Sequence, residues 1–336
     1  MSFLSKLSGT YQRPRLAAEL RTRSVVAAAA DATTEPLRAV AQAALAEGAL
    51  TPSLRIPNLA DRVAVASALR SALERVATQS RDVTLVIPDA TARVVLLDFD
   101  VMPSKSEDAD SVVRFRLKRM LPFDADTAAV SYQVMNETRG SVSVLAVAMP
   151  ADLRNEYEQA VREAGYEPGA MLPSSLAAVA SLDPADPKPQ LLLNIDESSM
   201  TTAIVKGGVL VLYRTVEFAH MEALAAEPAP VAEDPTSALA AMQADVLLAE
   251  VEHLSQTDEI ARAISVSTAY FEDTQGALPD EILVAGSWPS SELERIAVAT
   301  VGDGMKLREI VRVEDLLTTP SVARNLLAGV RGALKG

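Results

Sequence analysis

The sequence contains no cysteine, two histidines and one tryptophan. Without thiols it offers no thiol nucleophile, no disulfide framework and no cysteine-ligated zinc or iron–sulfur site, and this fits a reducing compartment. His220 and His253 stand far apart and lack the close spacing of a metal-ligand pair. No apolar run reaches the roughly 18–20 residues that a membrane-spanning helix needs. The opening Met1-Ser-Phe-Leu-Ser-Lys-Leu7 lacks the long apolar core of a secretory signal, so the expectation is a soluble, cytoplasmic chain. Phe3, Leu4 and Leu7 can be read as a frayed terminus or as a short amphipathic turn at a membrane surface. Basic residues are the minority: 31 Lys+Arg face 45 Asp+Glu, giving a formal net charge of −14. A chain this acidic is a poor general nucleic-acid binder, because duplex binding relies on Lys and Arg neutralising phosphates. What remains is carboxylate, hydroxyl and backbone chemistry on 336 residues, 49% of them hydrophobic, enough for two modest domains with real cores.

The pattern along the chain is mixed α/β. Arg15 to Asp31 reads as a β-hairpin turning at Arg21-Thr-Arg-Ser24, and an Ala-rich segment, Glu35 to Gly48, follows. Asp61 to Ala77 places Val63, Ala66, Leu69, Leu73 and Val76 at helical spacing. Val83–Ile87 and Arg93–Leu97 are β-branched runs across Pro88-Asp-Ala-Thr91, which predicts a second antiparallel pair. Glu107 to Met120 starts acidic and ends basic, the polarity a helix dipole favours, and Leu121-Pro122 stops it. Strands are expected over Ala128–Val134 and Ser141–Ala148, then a helix from Ala151 closed by Gly165. Pro184, Pro187 and Pro189 mark the domain boundary before a strong strand, Leu191–Ile195. A hairpin through Gly207-Gly208 follows. Glu222 to Ser237 is acidic, rich in Pro and Ala and aperiodic, and is read as a mobile loop. Helices over Ala241–Leu254, Thr257–Glu272, Ser290–Val301 and Val322–Leu334, with a strand at Glu281–Ala285, complete the pattern. Hairpin, helix and strand recur in similar order in both halves, a sign of duplicated architecture.

Two halves that each open with strand–turn–strand have the outline of the actin-like, sugar-kinase-like ATPases. Within that outline the chain resembles the PilM family, the FtsA-like proteins of type IV pilus assembly. The resemblance rests on VTLVIPDATARVVLLDF, the helix ending RFRLKRMLPFD, Ser131-Tyr132, SVSVLAVAMP and AVREAGYEPGAM, in that order and spacing between Arg81 and Met171. It implies a two-domain actin-like (ribonuclease H-like, duplicated) α/β fold with an inserted FtsA-like β-rich subdomain. The implied divisions are a first subdomain over residues 1–80 and 151–189, an insertion over 81–150, a second-domain core over 190–220 and 278–336, and its outer part over 221–277.

The resemblance also implies a nucleotide cleft between the domains, entered by three glycine-bearing segments whose N–H groups approach phosphate. All three are altered. The first offers Glu19-Leu20-Arg21, the second Asn194-Ile-Asp196-Glu-Ser198-Ser199, and the third Ala285-Gly286-Ser287-Trp288. Asp196 puts a carboxylate where phosphate belongs; two charges about 4 Å apart repel by about 4 kcal/mol at an effective dielectric of about 20. Asn194 removes a charge that orients a magnesium-bound water, and the resemblance sets the Trp288 indole toward the base pocket, although a lone tryptophan is more often core than a cofactor cage. The implied site is thus degenerate, with no catalytic residue assigned and ATP with magnesium left open as a ligand. Glu19, Asn194 and Asp196 read equally well as polar turn residues. Arg21 and Arg23 fit either phosphate ligands or solvated cations, and Ser198 and Ser199 have no histidine nearby in sequence to activate them.

For a partner, the resemblance implies the cytoplasmic N-terminal peptide of a PilN-like inner-membrane protein, gripped beside the insertion by Val95, Leu97, Phe115, Arg116, Leu117, Met120, Leu121 and Phe123. The same residues at helical and strand spacing also read as core. Arg114, Arg116, Lys118 and Arg119 form the main basic cluster, facing acidic peptide residues or anionic headgroups. The implied role is a scaffold peripheral to the inner membrane, linked to pilus motor ATPases and platform proteins, with self-association open and no nucleic acid. Two other readings stand beside it: a working ATPase or small-molecule kinase of the same fold, and the actin-like module of a type II secretion assembly protein.

Overall fold

The computed structural model describes residues 14–31, 36–55, 57–76, 79–218, 256–317 and 319–335. The expected loop at Glu222–Ser237 and helix at Ala241–Leu254 lie outside them, as do Phe3, Leu4 and Leu7. Two five-stranded sheets share one topology. In the first, β1 (Leu16–Arg21), β2 (Ser24–Ala29), β3 (Ala39–Ala44), β4 (Asp82–Ile87) and β8 (Glu167–Pro173) run in the order β3-β2-β1-β4-β8. In the second, β9 (Gln190–Ile195), β10 (Ser199–Lys206), β11 (Val209–Glu217), β12 (Glu281–Gly286) and β13 (Lys306–Glu309) run β11-β10-β9-β12-β13. Each sheet has an antiparallel meander on one side of its first strand and parallel pairing on the other. Duplication is therefore written in the hydrogen bonding.

The helices are α1 (Arg62–Val76), α2 (Ser106–Leu117), α3 (Ala151–Glu163), α4 (Ser174–Ala180), α5 (256–275), α6 (Ser290–Val301) and α7 (Ala328–Leu334). Alternation along the strands sorts their residues into layers. Leu16, Ala18 and Leu20 of β1 pack under α1 and α3, while Ala17 faces the central core. In β9, Leu191, Leu193 and Ile195 pack against α5 and α6, and Leu192 faces the central core. That core is shared by both sheets and filled by α4 and α7. The two helices touch closely: a Cβ on Gly332 would lie 1.6 Å from the Ala177 carbonyl oxygen. Glycine there permits a backbone-to-backbone contact that no side chain allows.

A third sheet, β5-β7-β6, is formed by β5 (Arg93–Phe99), β6 (Ala129–Thr138) and β7 (Ser141–Met149) and lies in the chain between β4 and α3. Val95, Leu97 and Phe99 of β5 face α2. Val94 and Leu96 face the opposite way and pack with Val209 and Tyr213 of the second domain. The sheet thus touches its own helix on one face and the far domain on the other.

The expected antiparallel pairing of Val83–Ile87 with Arg93–Leu97 is overturned. β4 lies parallel between β1 and β8, and β5 pairs with β7 in the third sheet. A short connection resembles a hairpin turn locally, but Pro88-Asp89-Ala90-Thr91 forms a 3₁₀ turn that carries the chain from one sheet to another. The expected terminal helix is shorter than the sequence pattern: a 3₁₀ turn, Arg324–Leu327, precedes the α-helix of Ala328–Leu334.

Candidate functional site

The inner faces of the two first strands end in polar residues at matching steps. β1 carries Ala17, Glu19 and Arg21 inward, and β9 continues Leu192, Asn194 into Asp196. Pairing of the sheets across α4 and α7 brings these ends together with Pro88, Asp89, Ser174 and Ser199 around one small cleft. Five of the seven residues expected in a nucleotide cleft (Glu19, Arg21, Asn194, Asp196 and Ser199) line it.

Their side chains bind one another. Glu19 is fully buried, paired with Arg21 at 2.6 Å, and accepts a hydrogen bond from Ser174 Oγ at 2.6 Å. Asn194 Nδ2 donates across the domain boundary to Ser174 Oγ (2.9 Å) and Ser175 Oγ (3.0 Å). Asp196 Oδ2 accepts from the Thr22 N–H (3.3 Å) and Thr22 Oγ1 (3.2 Å), joining the tips of the two opening hairpins. Ser198 Oγ stands 3.5 Å from Thr22 Oγ1 at the same junction. The cavity left has a volume of about 10 Å³, no more than the centre of one water requires.

Behind these residues lies an unanticipated carboxylate. Asp89 is buried and accepts from the Ser175 N–H (2.9 Å), Ser175 Oγ and the Tyr213 hydroxyl (2.8 Å) of the second domain. Burial pushes its carboxyl above the usual range, against the opposing pull of these donors. Burial likewise raises Glu19, with Arg21 pulling the other way. Tyr213 is raised well above its ordinary value by burial and then by the charge on Asp89. With its oxygens engaged by donors, Asp89 ties the domains rather than standing as a free base. Its only signal in the sequence is an acid after a strand that ends in Pro88.

Gly286 answers to backbone packing. Its φ is +102° and an added Cβ would fall 1.9 Å from the Ile195 carbonyl oxygen, so glycine lets β12 close on β9. The Trp288 indole, expected toward a base pocket, is 7% exposed in the second-domain core with Leu293 and Ile296.

The expected peptide residues divide into three. Leu97 and Leu117 are buried core, corrected from walls to interior, because they pack with Val113 and Val144 between α2 and its sheet. Val95, Leu121 and Phe123 are half-buried on the rim of that core. Phe115, Arg116 and Met120 face solvent, with Phe115 68% and Met120 51% exposed. The basic cluster also divides. Arg114 holds Asp110 and donates to the Ala125 and Ala128 carbonyls, and Lys118 pairs with Asp126 at 2.7 Å. Arg116 and Arg119 have no such partner among the described residues. Among the described residues no cluster of His, Asp and Glu could hold a metal ion, and no helix is long and apolar enough to cross a membrane.

Duplicated sheets, a shared helical core and a cleft between the opening hairpins define a two-domain actin-like α/β fold. A chain of a PilM–PilN type IV pilus biogenesis complex superposes with a TM-score of 0.74 at 16% identity, covering 96% of this chain and 98% of that one. More distant are a Bacteroides thetaiotaomicron protein with an actin-like ATPase fold (TM-score 0.49, 9% identity, 88% and 91% covered) and the cytoplasmic domain of EpsL from the type II secretion system of Vibrio cholerae (0.46, 10%, 96% and 94%). No family model matches the sequence, and no curated protein does.

Proposed function

We propose that this chain is a scaffold of type IV pilus assembly. It holds the N-terminal cytoplasmic peptide of a PilN-like inner-membrane protein beside the three-stranded insertion, couples it to pilus motor ATPases and platform proteins, and is peripheral to the inner membrane through that partner. The observation that carries this reading is the likeness to a chain of the PilM–PilN complex over nearly the whole length of both chains. The cleft supports a binding role over an enzymatic one: Ser174, Ser175, Asn194, Asp196 and Thr22 bind one another across it, and the cavity they leave is about 10 Å³, although Glu19 Oε2, Arg21 Nε and Asn194 Oδ1 are buried without a hydrogen-bond partner among the described residues.

The peptide's apolar side chains fit the half-buried rim of Val95, Leu121 and Phe123, where α2 meets its sheet. Extended peptides are held through backbone pairing and pockets for alternate side chains, and a buried aromatic anchor dominates such contacts. Fluorescence anisotropy with the partner's labelled N-terminal peptide tests the reading. Saturable binding, weakened about tenfold or more in Phe123→Ala, is expected. Unchanged affinity in that folded variant removes the proposed groove, and absence of binding by the wild-type chain removes the partner.

A further inference from the structure

The end of α2 carries two apolar side chains and two cations that the fold does not use. α2 ends at Leu117 and a turn follows it: Lys118 N–H still reaches the Arg114 carbonyl and Leu121 N–H the Leu117 carbonyl, each at 3.0 Å, while Met120 N–H reaches back only three residues, to the Leu117 carbonyl at 2.8 Å. Phe115 and Arg116 thus stand in the last turn of α2, and Arg119 and Met120 in the turn that follows it directly. All four are exposed. Phe115 lies about 200° round the helix from Leu117, its neighbour in the core, so it points away from the sheet that α2 covers. Its exposure is not a matter of loose packing: the inner residues Ala109, Val113 and Leu117 are 4%, 0% and 0% exposed.

The cations are where a helix favours them, at its negative end. Of the nearby carboxylates, Asp110 holds Arg114, Asp126 holds Lys118, Asp124 accepts from the Asp126 N–H at 3.0 Å, and Glu107 and Asp108 sit at the opposite end of α2. Arg116 and Arg119 remain as a local positive spot on a chain of net charge −14. At physiological salt, charges more than about 8–10 Å away are largely screened, so this spot acts on what it touches and the distant acidity does not cancel it.

We propose that this end of α2 is a docking face for an anionic bilayer surface, with Phe115 and Met120 entering the headgroup region and Arg116 and Arg119 pairing with lipid phosphates. Aromatic and thioether side chains partition into that zone while adjacent Lys and Arg hold anionic lipids. Guanidinium suits phosphate because its donors form a planar fork. The contact is direct and needs no partner protein. It orients the insertion toward the membrane, and the general acidity of the chain keeps the rest of the surface away from it.

Co-flotation of the full chain with phosphatidylglycerol–phosphatidylethanolamine vesicles, without any peptide, tests this. Binding is expected on these vesicles, absent on phosphatidylcholine alone and reduced by added salt. Arg116→Glu/Arg119→Glu lowers the partition constant about tenfold or more, as does Phe115→Ser/Met120→Ser, whereas Arg116→Lys/Arg119→Lys retains most of it. No wild-type binding to anionic vesicles, or full binding by the reversed-charge variant, overturns the proposal. So does a result in which these variants lose the labelled peptide in vesicle-free solution, because the face then belongs to a protein partner. The proposed peptide groove is read separately, through Phe123→Ala, and can fail while the lipid contact stands.

Discussion

The cleft and the end of α2 are built from similar residue types and used in opposite ways. In the cleft, Asp89, Asn194 and Asp196 meet partners across the domain boundary, and Glu19 pairs with Arg21 and Ser174 on its own side. At the end of α2, Arg116, Arg119, Phe115 and Met120 meet none among the described residues and face water. Hydrogen bonds that cross the cleft hold the two sheets together even though Glu19 Oε2, Arg21 Nε and Asn194 Oδ1 stay unpartnered there, while unpaired cations beside exposed apolar groups are available to something outside the chain. The cleft is a joint between the two domains, and the proposed external contacts lie instead at the end of α2.

Substitutions break this comparison from the cleft side most strongly. Asp89→Ala strands the Ser175 N–H, Ser175 Oγ and the Tyr213 hydroxyl, and a loss of about 3 kcal/mol is expected in chemical denaturation. Gly332→Ala pushes a methyl into the Ala177 carbonyl and is expected to cost about 2–3 kcal/mol, read as a lowered Tm. At the other extreme, Phe115→Ser is expected to change stability by less than about 0.5 kcal/mol, because that side chain is 68% exposed. A large effect there, or a small one at Asp89, would reverse the contrast.

Proton linkage sharpens it further. Glu19 and Asp89 have carboxyl pKa values raised in the folded chain, mainly by burial. The folded state therefore takes up their protons before the unfolded chain does. Their contribution to stability is full below the ordinary carboxylate range and is lost as pH rises through the raised folded values. Denaturation midpoints should rise on acidification from above the raised folded values down toward the ordinary carboxylate range. The slope should flatten in Glu19→Gln/Asp89→Asn whatever the absolute stability of that variant. A slope of opposite sign in the wild-type chain would contradict the assignment of buried, charged carboxylates.

Local pattern made much of this fold legible. The opening hairpin, α1, the β6–β7 pair, α3 with Gly165 and the β9–β11 meander follow from strand alternation, helical spacing and turn residues. Nonlocal features were not legible. β4 and β5 look like a hairpin from their sequences, and only the three-dimensional neighbours β1, β8 and β7 decide their pairing. β8 carries Pro168, Gly169 and Pro173, residues that argue against a strand, and tolerates them because it lies at the edge of its sheet. In the cleft, Glu19, Arg21, Asn194 and Asp196 stood out as departures from a family pattern. Asp89, Ser174, Ser175 and Tyr213 belong to no motif, since they gain meaning only when two sheets bring distant segments within hydrogen-bonding range.

The central claim is that the cleft is closed by its own side chains and that recognition lies elsewhere. Isothermal titration with Mg·ATP, run on the full chain alone and again with the partner peptide bound, tests it most directly. The account predicts no saturable heat from nucleotide in either case and a peptide affinity that Mg·ATP leaves unchanged. Tight, magnesium-dependent nucleotide binding, especially if it shifts the peptide affinity, would contradict it.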